Sequence, residues 1–171
     1  MTDATPGEPS SADARWMRRA IAQAEAGART AGGSPIGCVI VRDGEVLAEG
    51  FNEGDLRCDP SAHAEIVAMR RAGQRLQCKE LRGATLYTTL QPCGMCSMAS
   101  IWAKLSRIVY GAGRGQVHEE YFEDRHFNVS DFIHDAFKDD IALTGGVLAA
   151  DCARLYVPPG ADVPEGEQFN R

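Results

Sequence analysis

Between the apolar runs IGCVIVR (36–42) and EVLAEGFN (45–52) stand only Asp43 and Gly44. Asp-Gly accepts the positive φ angles that a two-residue hairpin turn demands, so these runs should pair as neighbouring antiparallel strands. Around this hairpin the periodicity alternates. Residues 13–30, DARWMRRAIAQAEAGART, place Trp16, Ala20, Ile21, Ala24 and Ala28 at helical steps, with Asp13 as the expected cap. After GGSP and the hairpin comes the loop EGDLRCDPSA, then a helical HAEIVAMRRAGQRL and a β-branched ATLYTTL. CGMCSMASIWAKL is helical and SRIVYGAG a further strand. Residues 114–140 mix charges with aromatics and show helical periodicity only over 130–137. IALTGG then reads as a last strand and VLAADCARLYV as a last helix. This order predicts an α/β fold with one sheet layered between helices.

The chain has 171 residues, which suits one compact domain, and no linker or internal repeat divides it. Its expected extent is 13–157, between a polar N-terminal tail (1–12) and a Pro- and Gly-rich acidic C-terminal tail (158–171). No apolar run approaches the roughly 20 residues that a membrane span needs, and the N-terminus does not resemble a secretory signal. The six cysteines are therefore expected in a reducing cytoplasm, where metal binding or catalysis outranks disulfides. A net charge of −6 lacks the usual electrostatic footprint of a nucleic-acid binder. GAGRG (111–115) lacks the Lys-Ser/Thr of a phosphate loop.

The chemistry gathers in two short motifs, HAE (63–65) and QPCGMC (91–96). Cys93 and Cys96 lie three apart at a helix start, so both sulfurs can address one point, and the partial positive charge there favours thiolates. His63 opens the preceding helix. If the two helix mouths face each other, one His and two Cys make three zinc ligands and leave an open fourth position, the mark of a catalytic metal. Glu65 would then serve as the proton carrier. In a regular helix His63 and Glu65 diverge by about 200°, so His63 must lie outside helical geometry for both to reach one cavity. Two alternatives remain open. Cys58, with Cys38 behind it, could close a structural Cys₃His site in a zinc-stapled binding module, or Cys93 and Cys96 could form a redox pair.

HAE with PCGMC, preceded by PIGCVIV and GEVLAEGFN and followed by SRIVYGA, resembles the cytidine deaminase superfamily over roughly residues 14–157. The branch it resembles holds guanine deaminases, fungal-type cytosine deaminases and bacterial tRNA adenosine deaminases. The resemblance implies a three-layer αβα fold with a five-stranded mixed sheet, one Zn²⁺ per subunit and a homodimer. Carried over by position, His63, Cys93 and Cys96 are zinc ligands and Glu65 is the proton shuttle. The implied reaction is hydrolytic: zinc-activated water adds to an amidine carbon of a heterocycle and ammonia leaves.

Asn52 matches the position where this branch holds the base, although a short polar residue at a strand end is also a turn former. Ile36 matches a pocket-wall position often held by an aromatic residue in guanine deaminases, and Trp102 matches a Trp in those enzymes, each also readable as core. Ala64 and Pro92, inside the two motifs, count with the substrate-binding positions. Phe122, Glu123 and Asp124 in YFED match an acidic segment of guanine deaminases that could close over a flat ring, or simply form a solvated loop. The expected substrate is a small free heterocycle, guanine first, then cytosine, a triazine or a modified base, with no nucleic-acid partner and no membrane. The alternative is a tRNA-specific adenosine deaminase, whose basic C-terminal helix has no counterpart here: after Tyr156 the one cation is Arg171.

Overall fold

Asp43 and Gly44 carry φ angles of 53° and 77°, the paired left-handed geometry of a tight hairpin turn. They join β1 (Ser34–Arg42) to β2 (Glu45–Asn52), antiparallel, with Arg42 opposite Glu45 and Cys38 opposite Gly50. β1 is also antiparallel to β3 (Thr85–Leu90), which runs parallel to β4 (Arg107–Ala112), and β4 runs parallel to β5 (Ala142–Thr144). The sheet has the order β2-β1-β3-β4-β5 and is mixed. The structure, a computed structural model of the chain, describes residues 10–122, 126–136 and 141–163.

Topology has a direct consequence for the site. β2 and β3 both oppose β1, so they point the same way and their carboxyl ends share one edge with that of β4. At that edge each of these strands passes into a loop or a helix start, the usual place for a ligand in such sheets.

The helices are α1 (Ser11–Ala28), α2 (Gly54–Arg57), α3 (Ala64–Leu76), α4 (Gly94–Trp102), α5 (Val129–Asp135) and α6 (Ala149–Ala153). Strand side chains alternate between two buried layers. Val39, Val41, Tyr87 and Val109 join Trp16, Met17 and Ala20 of α1 and Cys152 of α6. Cys38, Ile40, Leu86 and Ile108 join Ala64, Ala68 and Ala72 of α3 and Val129 and Ile133 of α5. Helices thus cover both faces, giving the expected three layers, and no helix among the described residues is long and apolar enough to cross a membrane.

Several boundaries move. The loop after β2 contains the short α2, and the helix expected at 130–137 runs from Val129 to Asp135. The N-terminal tail expected to reach residue 12 gives way to helix at Ser11, with Ser10 as the cap instead of Asp13. Ser10 Oγ accepts the Asp13 N–H at 3.1 Å and Asp13 Oδ2 accepts the Ser10 N–H at 3.2 Å, a reciprocal capping box. Asp13 is also buried. It accepts the Tyr87 hydroxyl at 3.0 Å and two Arg107 N–H groups at 2.8 and 3.0 Å, which ties α1 to β3 and β4. Sequence periodicity exposes none of this, because a cap and a core anchor use the same residue type.

Burial pushes the Asp13 carboxyl up, but its hydrogen bonds from Arg107, Tyr87 and Ser10 outweigh this and hold it below its ordinary value. A folded pKa below the unfolded one stabilises above the ordinary carboxylate pKa of about 3.9, and that contribution disappears as pH falls through the folded value. Asp13→Asn should therefore cost about 2 kcal/mol in urea unfolding at pH 7, the worth of charge-assisted hydrogen bonds. The gap to wild type should narrow below about pH 4. A gap that stays constant down to pH 3 would assign the loss to something other than this ion pair.

Candidate metal centre and active site

His63 is the N-cap of α3, with φ −61° and ψ 153°. Its extended backbone takes it out of the helical period, which is the condition for His63 and Glu65 to reach one cavity. Cys93 is likewise the N-cap of α4, at φ −73° and ψ 174°, and Cys96 is the third residue inside that helix. Pro92 is therefore not the first helical residue but stands one before the cap, closing the turn out of β3. Because β2 and β3 end on one edge, the starts of α3 and α4 converge. His63 Nδ1 lies 3.7 Å from Cys93 Sγ and 3.6 Å from Cys96 Sγ, and all three donor atoms fall within 4.8 Å of one another. Tetrahedral zinc, with Zn–S of about 2.3 Å and Zn–N of about 2.0–2.1 Å, sets its S and N ligands about 3.6 Å apart. The donor set fits the ion.

Glu65 is 4% exposed. Burial, joined by the neighbouring Cys93 charge, raises its pKa against the opposing pull of His63. Thr88 of β3 donates its hydroxyl to Glu65 Oε1 at 3.4 Å. The hydrogen bond from the Cys96 thiol outweighs burial and, with His63, draws the Cys93 thiol down to about 4. Cys96, which gives that bond and is buried, is pushed well above the ordinary thiol value. A zinc ion held by His63, Cys93 and Cys96 would displace the proton on Cys96, since a thiol binds metal as the thiolate.

The loop that delivers His63 is pinned by Glu53, which is 2% exposed. Its carboxylate pairs with Arg57 and, at 2.6 Å, with Arg71, while its N–H donates to Ala62 O at 2.9 Å. None of these roles is visible in the sequence, where Glu53 reads as loop.

The positions expected at the substrate take up varied places. Asn52 ends β2, and its Oδ1 accepts the Gly54 N–H at 3.0 Å, so the turn-forming role is present. Ala64 is fully buried under the α3 start, and Pro92 is also buried. Ile36 is half-buried beside the irregularity in β1 pairing between Ser34 and Gly37, packed against both buried clusters. Trp102 is 72% exposed at the far end of α4, so it is not the buried core residue that its helical spacing suggests. Phe122 is buried, with the Arg114 guanidinium 4.6 Å from its ring centre. Glu123 and Asp124 lie outside the described residues.

One neighbour of the metal motif escapes sequence reading. Phe132 of α5 lies over Gly94: a Cβ on Gly94 would come within 2.7 Å of Phe132 Cζ. Phe127 stacks edge-on against Phe132, 6.0 Å between ring centres. The signal available was Gly94 itself, a glycine inside a helix start, which marks close approach of another group.

The fourth-ligand alternative does not assemble. Cys58 is exposed at the end of α2, its Sγ 3.9 Å from Asp55 O, and Cys38 is wholly buried in β1. Among the described residues neither joins the His63, Cys93 and Cys96 cluster.

The pattern of the cytidine and deoxycytidylate deaminase zinc-binding region matches residues 10–112. A tRNA-specific adenosine deaminase of Haemophilus influenzae is 34% identical over 148 residues, covering 83% of this chain and 79% of its own length. A guanine deaminase of Bacillus subtilis is 38% identical over 109 residues, covering 64% of this chain and 70% of its own. Among solved structures, a tRNA deaminase performing A-to-I editing at the wobble position superposes with a TM-score of 0.71 at 30% identity, covering 82% of this chain and 98% of that one.

Purified protein should hold about one zinc per chain by elemental analysis, as a three-ligand centre does. Cys58→Ala should keep it, whereas His63→Ala or Cys96→Ser should lose most of it. Zinc lost with Cys58 would restore the four-ligand structural site.

Proposed function

From a chain that belongs to the cytidine and deoxycytidylate deaminase zinc-binding family, we propose a hydrolytic deaminase of a free nucleobase, with guanine as the first-choice substrate. His63, Cys93 and Cys96 would hold the zinc, whose charge lowers the pKa of a bound water towards neutrality. Glu65 takes a proton from the attacking water and returns it to the departing amino nitrogen. Water adds to the ring carbon, the bond from that carbon to its exocyclic amino nitrogen breaks, a C–O bond stands in its place, and ammonia leaves. The raised pKa of the buried Glu65 suits a group that must hold that proton between the two transfers. Asn52, on the shared edge, orients the ring, and Phe132 supplies a flat wall that Ile36 does not.

The observation that carries the choice of a small substrate is the state of the basic group on α3. Arg70 donates to the Asp59 carboxylate and Ser61 Oγ, Arg71 to the Glu53 carboxylate and Glu49 O, and Arg75 to Val46 O and Leu47 O. Binding a polyanion requires cations whose charge meets phosphates, and these arginines already serve the protein's own carboxylates and carbonyls in a chain of net charge −6. The second reading, a tRNA adenosine deaminase, draws on the longer match to the Haemophilus influenzae enzyme. A homodimer belongs to the proposal as well: Trp102, 72% exposed, is an apolar surface that a second copy would cover.

Ammonia release should be measured on guanine, adenine, cytosine, an aminotriazine and an adenosine-bearing tRNA anticodon stem–loop. Turnover of guanine or another free base supports the proposal, and turnover of the RNA alone overturns it. Glu65→Gln should keep its zinc and lose at least about 100-fold in rate on the best substrate, the usual worth of a positioned proton carrier. Unchanged turnover in that variant would remove Glu65 from the chemistry.

A further inference from the structure

Gln91 stands just ahead of the Pro92–Cys96 motif and is 7% exposed. Its main chain continues the strand pairing past Leu90, with the N–H donating to Ala112 O at 2.9 Å. Its side chain does something different. Oε1 accepts the Arg114 N–H at 3.1 Å, and Nε2 donates to Asn128 Oδ1 at 3.1 Å. The polarity is dictated, since a main-chain N–H can only donate: the Gln91 oxygen must face Arg114, and its NH₂ must face Asn128.

Arg114 and Asn128 bound the excursion that leaves β4 and returns as α5. One buried amide therefore fastens both ends of that excursion to the strand leading into the zinc motif. Asn128 is the N-cap of α5 and donates its N–H to the Asp131 carboxylate at 2.5 Å. From there α5 carries Phe132 onto Gly94, between the two cysteines. Arg114 holds the same excursion from its side chain, with Nη2 donating to Phe127 O at 3.1 Å and the guanidinium stacked on Phe122.

We infer that Gln91 is a positioning residue: its amide ties Arg114 and Asn128 to the end of β3 and so seats Phe132 over the mouth of α4, where a substrate ring must pass. The inference rests on the deaminase reading only where substrate kinetics are used. Structure, metal and exchange readouts stand apart from it.

A charge swap tests it on the zinc-loaded full chain. Gln91→Glu still accepts from Arg114, and Asn128 can turn its amide to donate to the new carboxylate. Asn128→Asp still accepts from Gln91. Each single variant should therefore keep the tie, with backbone amide exchange across residues 130–133 within about twofold of wild type. The double variant sets two carboxylates face to face with no donor between them. Its exchange at 130–133 should rise about tenfold or more, well beyond the combined effect of the singles, while zinc stays at one per chain. With guanine as probe, KM should rise about fivefold, the worth of one neutral hydrogen bond, and kcat should stay within about twofold. Asn128→Ala, which cuts one arm outside the core, should behave in the same direction if the double variant folds poorly. Additive behaviour of the double variant, wild-type exchange in Asn128→Ala, or loss of zinc in either would overturn the inference. If exchange responds but no free base is turned over, the substrate proposal fails and the positioning role stands.

Discussion

Everything at the site depends on two helix starts meeting at one sheet edge. The meeting is a consequence of strand direction: β2 and β3 flank β1 and both oppose it, so their carboxyl ends coincide. His63 and Cys93 are the cap residues of the helices that begin there. A cap has extended backbone and a side chain that need not obey the helix period, so each can turn inward while the next residues pack. Cys96 and Glu65, one turn or less inside, are then buried beside them. Sulfur and nitrogen stand 3.6–3.7 Å apart, the spacing that a tetrahedral zinc ion requires.

That placement is supported by buried polar ties rather than by apolar packing alone. Glu53, clamped by Arg57 and Arg71, holds the loop that ends in His63. Asp13, accepting from Arg107 and Tyr87, holds α1 on the opposite face. Gln91 joins the cysteine strand to the excursion bearing Phe132. A buried polar group costs free energy unless partnered, so each tie is all-or-none and selects one arrangement of its loop. The first two ties also commit Arg57, Arg71 and Arg107 to the protein's own carboxylates.

Much of this was legible from residue order. Asp43-Gly44 announced the hairpin, the alternating periods announced an α/β layered fold, and HAE with PCGMC announced a three-ligand centre with an acid beside it. Local chemistry suffices there, because turn φ angles, helix caps and thiolate–imidazole affinity act over a few residues. Trp102 shows where such reasoning stops. Its spacing on α4 matches a core position, but the helix ends at that residue with its ring in solvent. Asp13 reads as a cap and is also a buried anchor to residues 74 and 94 positions away.

The sequence by itself determined which atoms can bind the metal, which carboxylate stands two residues from a ligand, and that two strands must fold back on each other. Those properties belong to side-chain type and short-range backbone geometry. Only the tertiary structure decided that Cys58 stays away from the metal cluster, that Phe132 lies on Gly94, and that Gln91 holds both ends of the segment carrying it. Each of these depends on contacts between residues distant in the chain, whose approach is set by strand order and by the pairing of buried polar groups, and no local pattern encodes that distance.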